Sequence, residues 1–219
     1  MNARSRKPSW PRLVVGLTGG IGSGKSTVLS LLRERGLAAA DADVIVHGAL
    51  RPGGAGYRRV LSLFGPAVRR SDGSLDRAAM ARVVFEHPEI RKKLEAILHP
   101  IVVREFRRRI AAHRRGILIL DVPLLFETGL DRMVDRTVVV WAPERTCLAR
   151  LAASGRLTRA QARRRMAAQM PLDEKRRRAH FLLDNSRTLS VLGRGVDRLF
   201  GVPGGEGPPP LVYKDVTTS

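Results

Sequence analysis

The sequence predicts an α/β fold: a parallel five-stranded sheet flanked by helices, carrying an inserted helical subdomain and a helical lid. Three observations predict it. Short apolar runs alternate with helical segments, the pattern of parallel strands joined by right-handed crossovers. The run Ile-Leu-Ile-Leu at 117–120 is apolar throughout, as expected of a strand covered on both faces. A glycine-rich string, Gly19-Gly-Ile-Gly-Ser-Gly-Lys-Ser26, separates the first apolar run from a helical segment.

Taken in order, 13–17 reads as the first strand. A helix over 25–35 offers Val28, Leu29, Leu31 and Leu32 as its apolar face, and Gly36 is placed to end it. A short strand follows at 37–40. The stretch 44–115 has no clear strand and is far too long for a loop, so it reads as a helical insert. Within it, Asp76 is an N-cap candidate before a helix over 77–85, and a second helix, 90–98, ends at His99-Pro100. Strands follow at 117–120, 137–141 and 181–183, with a helix over 144–153. The stretch 150–180 is polar and Arg-dense; Thr158-Arg-Ala-Gln161 has the form of a capping box, and the whole reads as a lid. Residues 1–11 are basic with two prolines, and 201–219 opens on a Gly/Pro-rich string, so both ends read as flexible. The resulting division is a single domain over 12–200, with core segments 12–43, 116–149 and 181–200, insert 44–115 and lid 150–180.

Charge narrows the partners. Lys+Arg 40 against Asp+Glu 20 gives a net charge of +20, a field that attracts nucleic acid, acidic membranes or phosphorylated small molecules. Aromatic residues make up only 5% and do not interleave with the basic runs, so no single-strand stacking platform is present. The runs at 107–109, 163–165 and 175–178 lie on helices, where consecutive residues cannot face one site, and most of these charges are solvated. These features predict no specific nucleic-acid partner. No segment has the apolar length of a membrane span, and the first apolar run is too short for a signal peptide. Cys147 is the only cysteine, which points to a reducing compartment, the cytoplasm, and to a buried structural thiol.

The glycine-rich string is G-x-x-x-x-G-K-S, and strand, loop and helix are the context in which it cradles phosphate. The loop's backbone N–H groups and the helix N-terminus favour anions. Lys25 is placed to reach β- and γ-phosphates, and the Ser26 hydroxyl to bind Mg²⁺. The candidate nucleotide-binding residues are Gly19, Gly20, Gly22, Ser23, Gly24, Lys25, Ser26 and Thr27. Asp41-Ala-Asp43 closes the second strand, at the carboxyl end where open α/β sheets bind ligands. One of these two carboxylates caps the next helix, and at least one has a catalytic role. Asp121 follows the third strand directly, the form of a Walker B carboxylate near the metal. Glu127 is open between binding a substrate hydroxyl, binding a lid arginine and lying solvated on the surface. His99 reads as structural.

These segments together resemble the dephospho-CoA kinase family. The resemblance rests on Gly16-Leu-Thr-Gly-Gly-Ile-Gly-Ser-Gly-Lys-Ser-Thr27, Asp41-Ala-Asp43, Phe64-Gly65 then Asp72-Gly73 and Leu75-Asp76-Arg77, Leu98-His99-Pro100, Asp121-Val-Pro-Leu-Leu-Phe-Glu127, and Gln169 with Asp184-Asn185. It implies a P-loop core, a CoA-binding helical insert and a lid. It implies ATP with Mg²⁺ and dephospho-CoA as substrate, phosphorylated on the ribose 3′-hydroxyl. It puts the base at Asp43 and Asn185 near the adenine. The chain departs from the family at Ser154, where a lid arginine is usual, at His180, where Asp is usual, and at Arg187. Arg150 and Arg156 are near enough to supply the missing lid cation, with Arg150 favoured because a helix holds it. The alternatives to this reading are another nucleoside or nucleotide kinase, and a nucleic-acid-binding P-loop ATPase.

Overall fold

The structure, a computed structural model, describes residues 12–155 and 157–201. The chain forms two compact units, one comprising residues up to 39 and from 113 onward, the other residues 40–112. The Asp41 and Asp43 carboxylates therefore belong to the helical unit, whose ends differ by a few residues from those expected for the insert.

In chain order the elements are β1 (Leu13–Gly19), α1 (Lys25–Glu34), β2 (Ala38–Asp41), α2 (Ala42–Ala49), α3 (Tyr57–Phe64), α4 (Arg77–Glu86) and α5 (Pro88–Ala112). Then follow β3 (Ile117–Asp121), β4 (Arg136–Trp141), α6 (Glu144–Ala153), α7 (Arg159–Ala167), α8 (Leu172–Arg178), β5 (Phe181–Asp184) and α9 (Leu189–Phe200). The strands form one sheet in the order β2-β3-β1-β4-β5. β1 pairs in parallel with both β3 and β4, and β4 with β5. Parallel neighbours need long crossovers, and here the connections carry helices, except that β3 leads to β4 through a single 3₁₀ turn at Leu130–Met133.

The apolar runs form strands because both faces of the sheet are covered. β3 is buried at all five positions, Asp121 included, and β1 is buried from Val14 to Gly19. Val15, Leu17, Ile119, Val138 and Val140 meet Val28 and Leu32 of α1 in one core. Every additional methylene removed from water there adds about 0.8 kcal/mol. α1 ends where glycine was placed to end it: Gly36 has φ +78° and donates its N–H to the Arg33 carbonyl at 2.9 Å.

The helical unit has its own core, around Leu50, Tyr57, Val60, Met80 and Ile97. Asp76 caps α4, accepting from Ala78 N at 2.9 Å and Ala79 N at 3.0 Å, as its position predicts. The expected helix end at His99-Pro100 is not observed. α5 runs straight through Pro100, which lies inside its 25 residues. Proline removes one helical hydrogen bond, but Ile97, Val102 and Phe106 are buried on either side of it and hold both halves in place.

Candidate active site

β1 delivers the chain to the glycine-rich loop, and α1 leaves it at Lys25. Two glycines set the loop's path. Gly22 and Gly24 have φ of +80° and +89°, in the left-handed region that other residues avoid. Both are also closely approached: a Cβ on Gly22 would lie 2.7 Å from the Cys147 carbonyl oxygen, and one on Gly24 would lie 2.0 Å from Asn185 Nδ2. Ser23 between them is fully buried, and its Oγ has no hydrogen-bond partner among the described residues. A buried hydroxyl without a partner is costly, and here it lies in a loop with the backbone geometry of an anion cradle. Ser26 and Thr27 are exposed in the first turn of α1.

Lys25 reaches across to the end of β3. Its Nζ lies 2.5 Å from Asp121 Oδ1, and Asp121 is almost fully buried. The adjacent register, with Leu17 beside Asp121, brings these groups together from distant parts of the chain. One buried carboxylate and one hydroxyl are a donor set suited to Mg²⁺. That ion keeps several waters and completes its shell with substrate phosphates rather than an all-protein cage. Among the described residues there is no group of three or more His, Cys, Asp and Glu side chains able to hold a metal without such help.

Asn185 and Arg150 meet at the same loop. Asn185 Nδ2 donates to the Ser23 carbonyl at 2.8 Å, and Arg150 Nη2 donates to the Asn185 carbonyl at 2.8 Å. Arg150 sits on α6, as expected; Arg156 lies outside the described residues. Ser154 is the C-cap of α6, its Oγ bonded to the Leu151 carbonyl at 2.7 Å. The capping box at Thr158 is formed in both directions.

In the helical unit, Asp41 is the capping member of the acidic pair. Its Oδ1 accepts from Asp43 N at 2.8 Å and Val44 N at 3.2 Å. Asp43 stands exposed in the first turn of α2. Cys147 is a buried thiol, its pKa raised by burial. Gln169 has a buried side-chain oxygen without a partner among the described residues.

Glu127 is exposed and meets a lysine, not an arginine, of the stretch expected to form the lid. It accepts from Met170 N at 3.0 Å and from Lys175 Nζ at 2.8 Å. Most of the basic run at 175–178 is solvated, as expected, with Arg176, Arg177 and Arg178 exposed; Lys175 is the exception, and none of it is exposed. The only signal in the sequence is its spacing: three residues after Leu172, it shares that residue's face of α8. Thr18 was also missed; its hydroxyl donates to the Pro123 carbonyl at 3.0 Å, just beyond Asp121.

A parallel sheet with a glycine-rich loop closing its central strand, a lysine in that loop and an acidic residue on the neighbouring strand defines a P-loop phosphotransferase. The family model for dephospho-CoA kinase matches residues 13–190. The dephospho-CoA kinase of Symbiobacterium thermophilum is 47% identical over 201 residues, covering 90% of this chain and 84% of the relative. That of Anaeromyxobacter dehalogenans is 43% identical over 209 residues, covering 91% and 99%. The crystal structure of TT1252 from Thermus thermophilus superimposes with a TM-score of 0.75 at 38% identity, covering 86% of this chain and 95% of that one. The dephospho-CoA kinase of Campylobacter jejuni, 22% identical, shares the fold with a TM-score of 0.62 over 84% and 94%. The chain belongs to the dephospho-CoA kinase family, the kinases of the last step of coenzyme A synthesis.

Proposed function

We propose that this chain transfers the γ-phosphoryl group of ATP to the ribose 3′-hydroxyl of dephospho-CoA, giving CoA and ADP in the cytoplasm. The observation that carries the reading is the family match across residues 13–190, over a chain whose phosphate loop keeps its Lys25–Asp121 pair. Among the described residues no helix is long and apolar enough to cross a membrane.

In phosphoryl transfer the protein chiefly positions groups and offsets charge. N–H groups of the loop, that of Gly24 among them, and the start of α1 hold the β- and γ-phosphates, while the Ser23 and Thr27 N–H groups bond the Gly20 and Gly24 carbonyls. Lys25 leaves Asp121 for the phosphate oxygens and follows the charge as it moves toward the leaving ADP. Mg²⁺, held through the Ser26 hydroxyl and Asp121, supplies further neutralisation of the phosphates when bound. Asp43 accepts the proton of the 3′-hydroxyl as its oxygen bonds to the γ-phosphorus and the bond to the β-phosphate oxygen breaks. Arg150 contributes guanidinium charge at the γ-phosphate.

A substrate panel with ATP and Mg²⁺, read by mass spectrometry, tests this. Gain of one phosphate by dephospho-CoA is the expected result. Phosphorylation of a different nucleoside or nucleotide, with dephospho-CoA untouched, would move the assignment to another kinase activity. ADP release stimulated only by DNA or RNA would move it to a nucleic-acid-dependent ATPase.

A further inference from the structure

The phosphate loop is gripped at a single peptide, the one that joins Ser23 to Gly24. Asn185 Nδ2 donates to the Ser23 carbonyl at 2.8 Å, and Arg150 Nη1 approaches the same oxygen at 3.5 Å. Asn185 is itself immobilised. Its N–H donates to the Trp141 carbonyl at 2.7 Å, at the end of β4, and its own carbonyl takes the Arg150 hydrogen bond. Only 6% of its surface is exposed. The side chain lies so close to Gly24 that no residue with a Cβ fits there.

A trans peptide is rigid, and its C=O and N–H point in opposite directions. The described residues contain no cis peptide. Drawing the Ser23 carbonyl toward Asn185 therefore turns the Gly24 N–H away from Asn185. We infer that Asn185 is a positioning residue of the phosphate loop: by fixing the Ser23 carbonyl, its carboxamide aims the Gly24 N–H at the phosphate oxygens of the bound nucleotide. This is a different role from contact with the adenine. An adenine contact acts on the base, whereas the peptide clamp acts on any ligand that carries the phosphates. The inference rests on the phosphate-loop reading of residues 19–27 and is independent of the acceptor.

Calorimetric titration of the full chain with Mg²⁺ separates the two roles, using ATP and inorganic tripolyphosphate, which has no base, as probes. Asn185→Leu keeps the size of the side chain and removes the donor. It is expected to weaken both ligands by the same factor, about tenfold, the worth of one well-made hydrogen bond. The melting temperature without ligand should stay near that of the unaltered protein. Asn185→Ala serves as the second variant where Leu does not fold. Loss for ATP with tripolyphosphate unaffected would overturn the inference in favour of a base contact. Unchanged affinity for both, with or without lowered stability, would overturn it in favour of a purely structural residue. Failure of the unaltered protein to bind either ligand would overturn the phosphate-loop reading and this inference with it. Binding of both without phosphorylation of dephospho-CoA would overturn only the acceptor assignment.

Discussion

Lys175 and Glu127 form an ion pair with the lysine wholly out of water: Nζ and Oε1 are 2.8 Å apart and Lys175 is 0% exposed. The ammonium also donates to the Pro123 carbonyl at 2.7 Å, the same oxygen that accepts from Thr18. α8 is thereby tied to the segment that follows Asp121. Burial pulls the Lys175 pKa below its ordinary value, the hydrogen bond and charge of Glu127 oppose that shift, and the nearby charge of Lys25 adds to it.

Lys175→Met should accordingly be among the more damaging single changes in the chain. Removing one member of a buried pair strands the other. Glu127 keeps 21% of its side chain in contact with water, which places the cost at the lower end of the usual range, about 3 kcal/mol. Pairing the change with Glu127→Leu should recover most of the loss, because neither charge is then left buried. Urea unfolding of the two variants checks this. A single variant as stable as the unaltered protein would show that the pair adds nothing to stability.

The β4–β5 junction should weaken in acid. His180 Nδ1 accepts from Thr137 N at 3.1 Å, a contact that needs an unprotonated ring nitrogen, and lies 2.8 Å from Thr137 Oγ1. Burial first, and then the charge of Arg136, lower the His180 pKa from its ordinary 6.5. A histidine whose folded pKa is depressed contributes stability that is complete above the unfolded pKa. That contribution is lost as pH falls from there toward the folded value. The urea midpoint should fall between pH 7.5 and 5.5 by more in the unaltered protein than in His180→Asn, whose oxygen accepts without titrating. Equal pH slopes in the two proteins would remove His180 from the account.

Much of the fold was legible because parallel strands buried on both faces leave uninterrupted apolar runs, as at Ile117–Asp121. Caps were legible for a similar reason: Asp76 and Thr158 act on N–H groups two or three residues away, within reach of a short string. Pro100 misled because a missing hydrogen bond is a local cost, while the burial of Ile97, Val102 and Phe106 that outweighs it is a property of the packed unit. That Lys175 is the buried member of its run was not legible, because four consecutive basic residues do not reveal which one faces inward. The phosphate loop was legible as a motif. The grip of Asn185 on Ser23 was not, since it joins residues 162 apart in the chain.

Asp41 and Asp43 should separate stability from rate. Asp41 accepts two backbone hydrogen bonds at the start of α2, and losing a cap typically costs about 1 kcal/mol. Asp41→Asn retains a capping oxygen and should be mild in both respects; Asp41→Ala should lower the unfolding free energy by about that amount. Asp43 is exposed. Asp43→Asn should leave stability unchanged and slow turnover by about 10²–10⁴-fold if its carboxylate takes the hydroxyl proton. Steady-state kinetics beside chemical denaturation decide the matter. A larger rate loss from Asp41→Asn than from Asp43→Asn would reverse the two roles.

Arg150 should separate binding from turnover. At rest its Nη2 bonds the Asn185 carbonyl, beside the loop where the γ-phosphate is expected. Ser154 cannot supply positive charge, and its hydroxyl is committed to the Leu151 carbonyl. Arg150→Ala should therefore lower kcat several-fold or more. ATP affinity should change less, because the bond from Asn185 to Ser23 survives the substitution. Arg150→Lys should restore little, since a single ammonium cannot reproduce a bidentate fork on phosphate oxygens. Arg156→Ala should do less harm than Arg150→Ala. If neither alanine variant slows turnover, the transferring phosphoryl group meets its cation elsewhere, with the arginines at 163–165 next to be replaced, and the assignment of Arg150 fails.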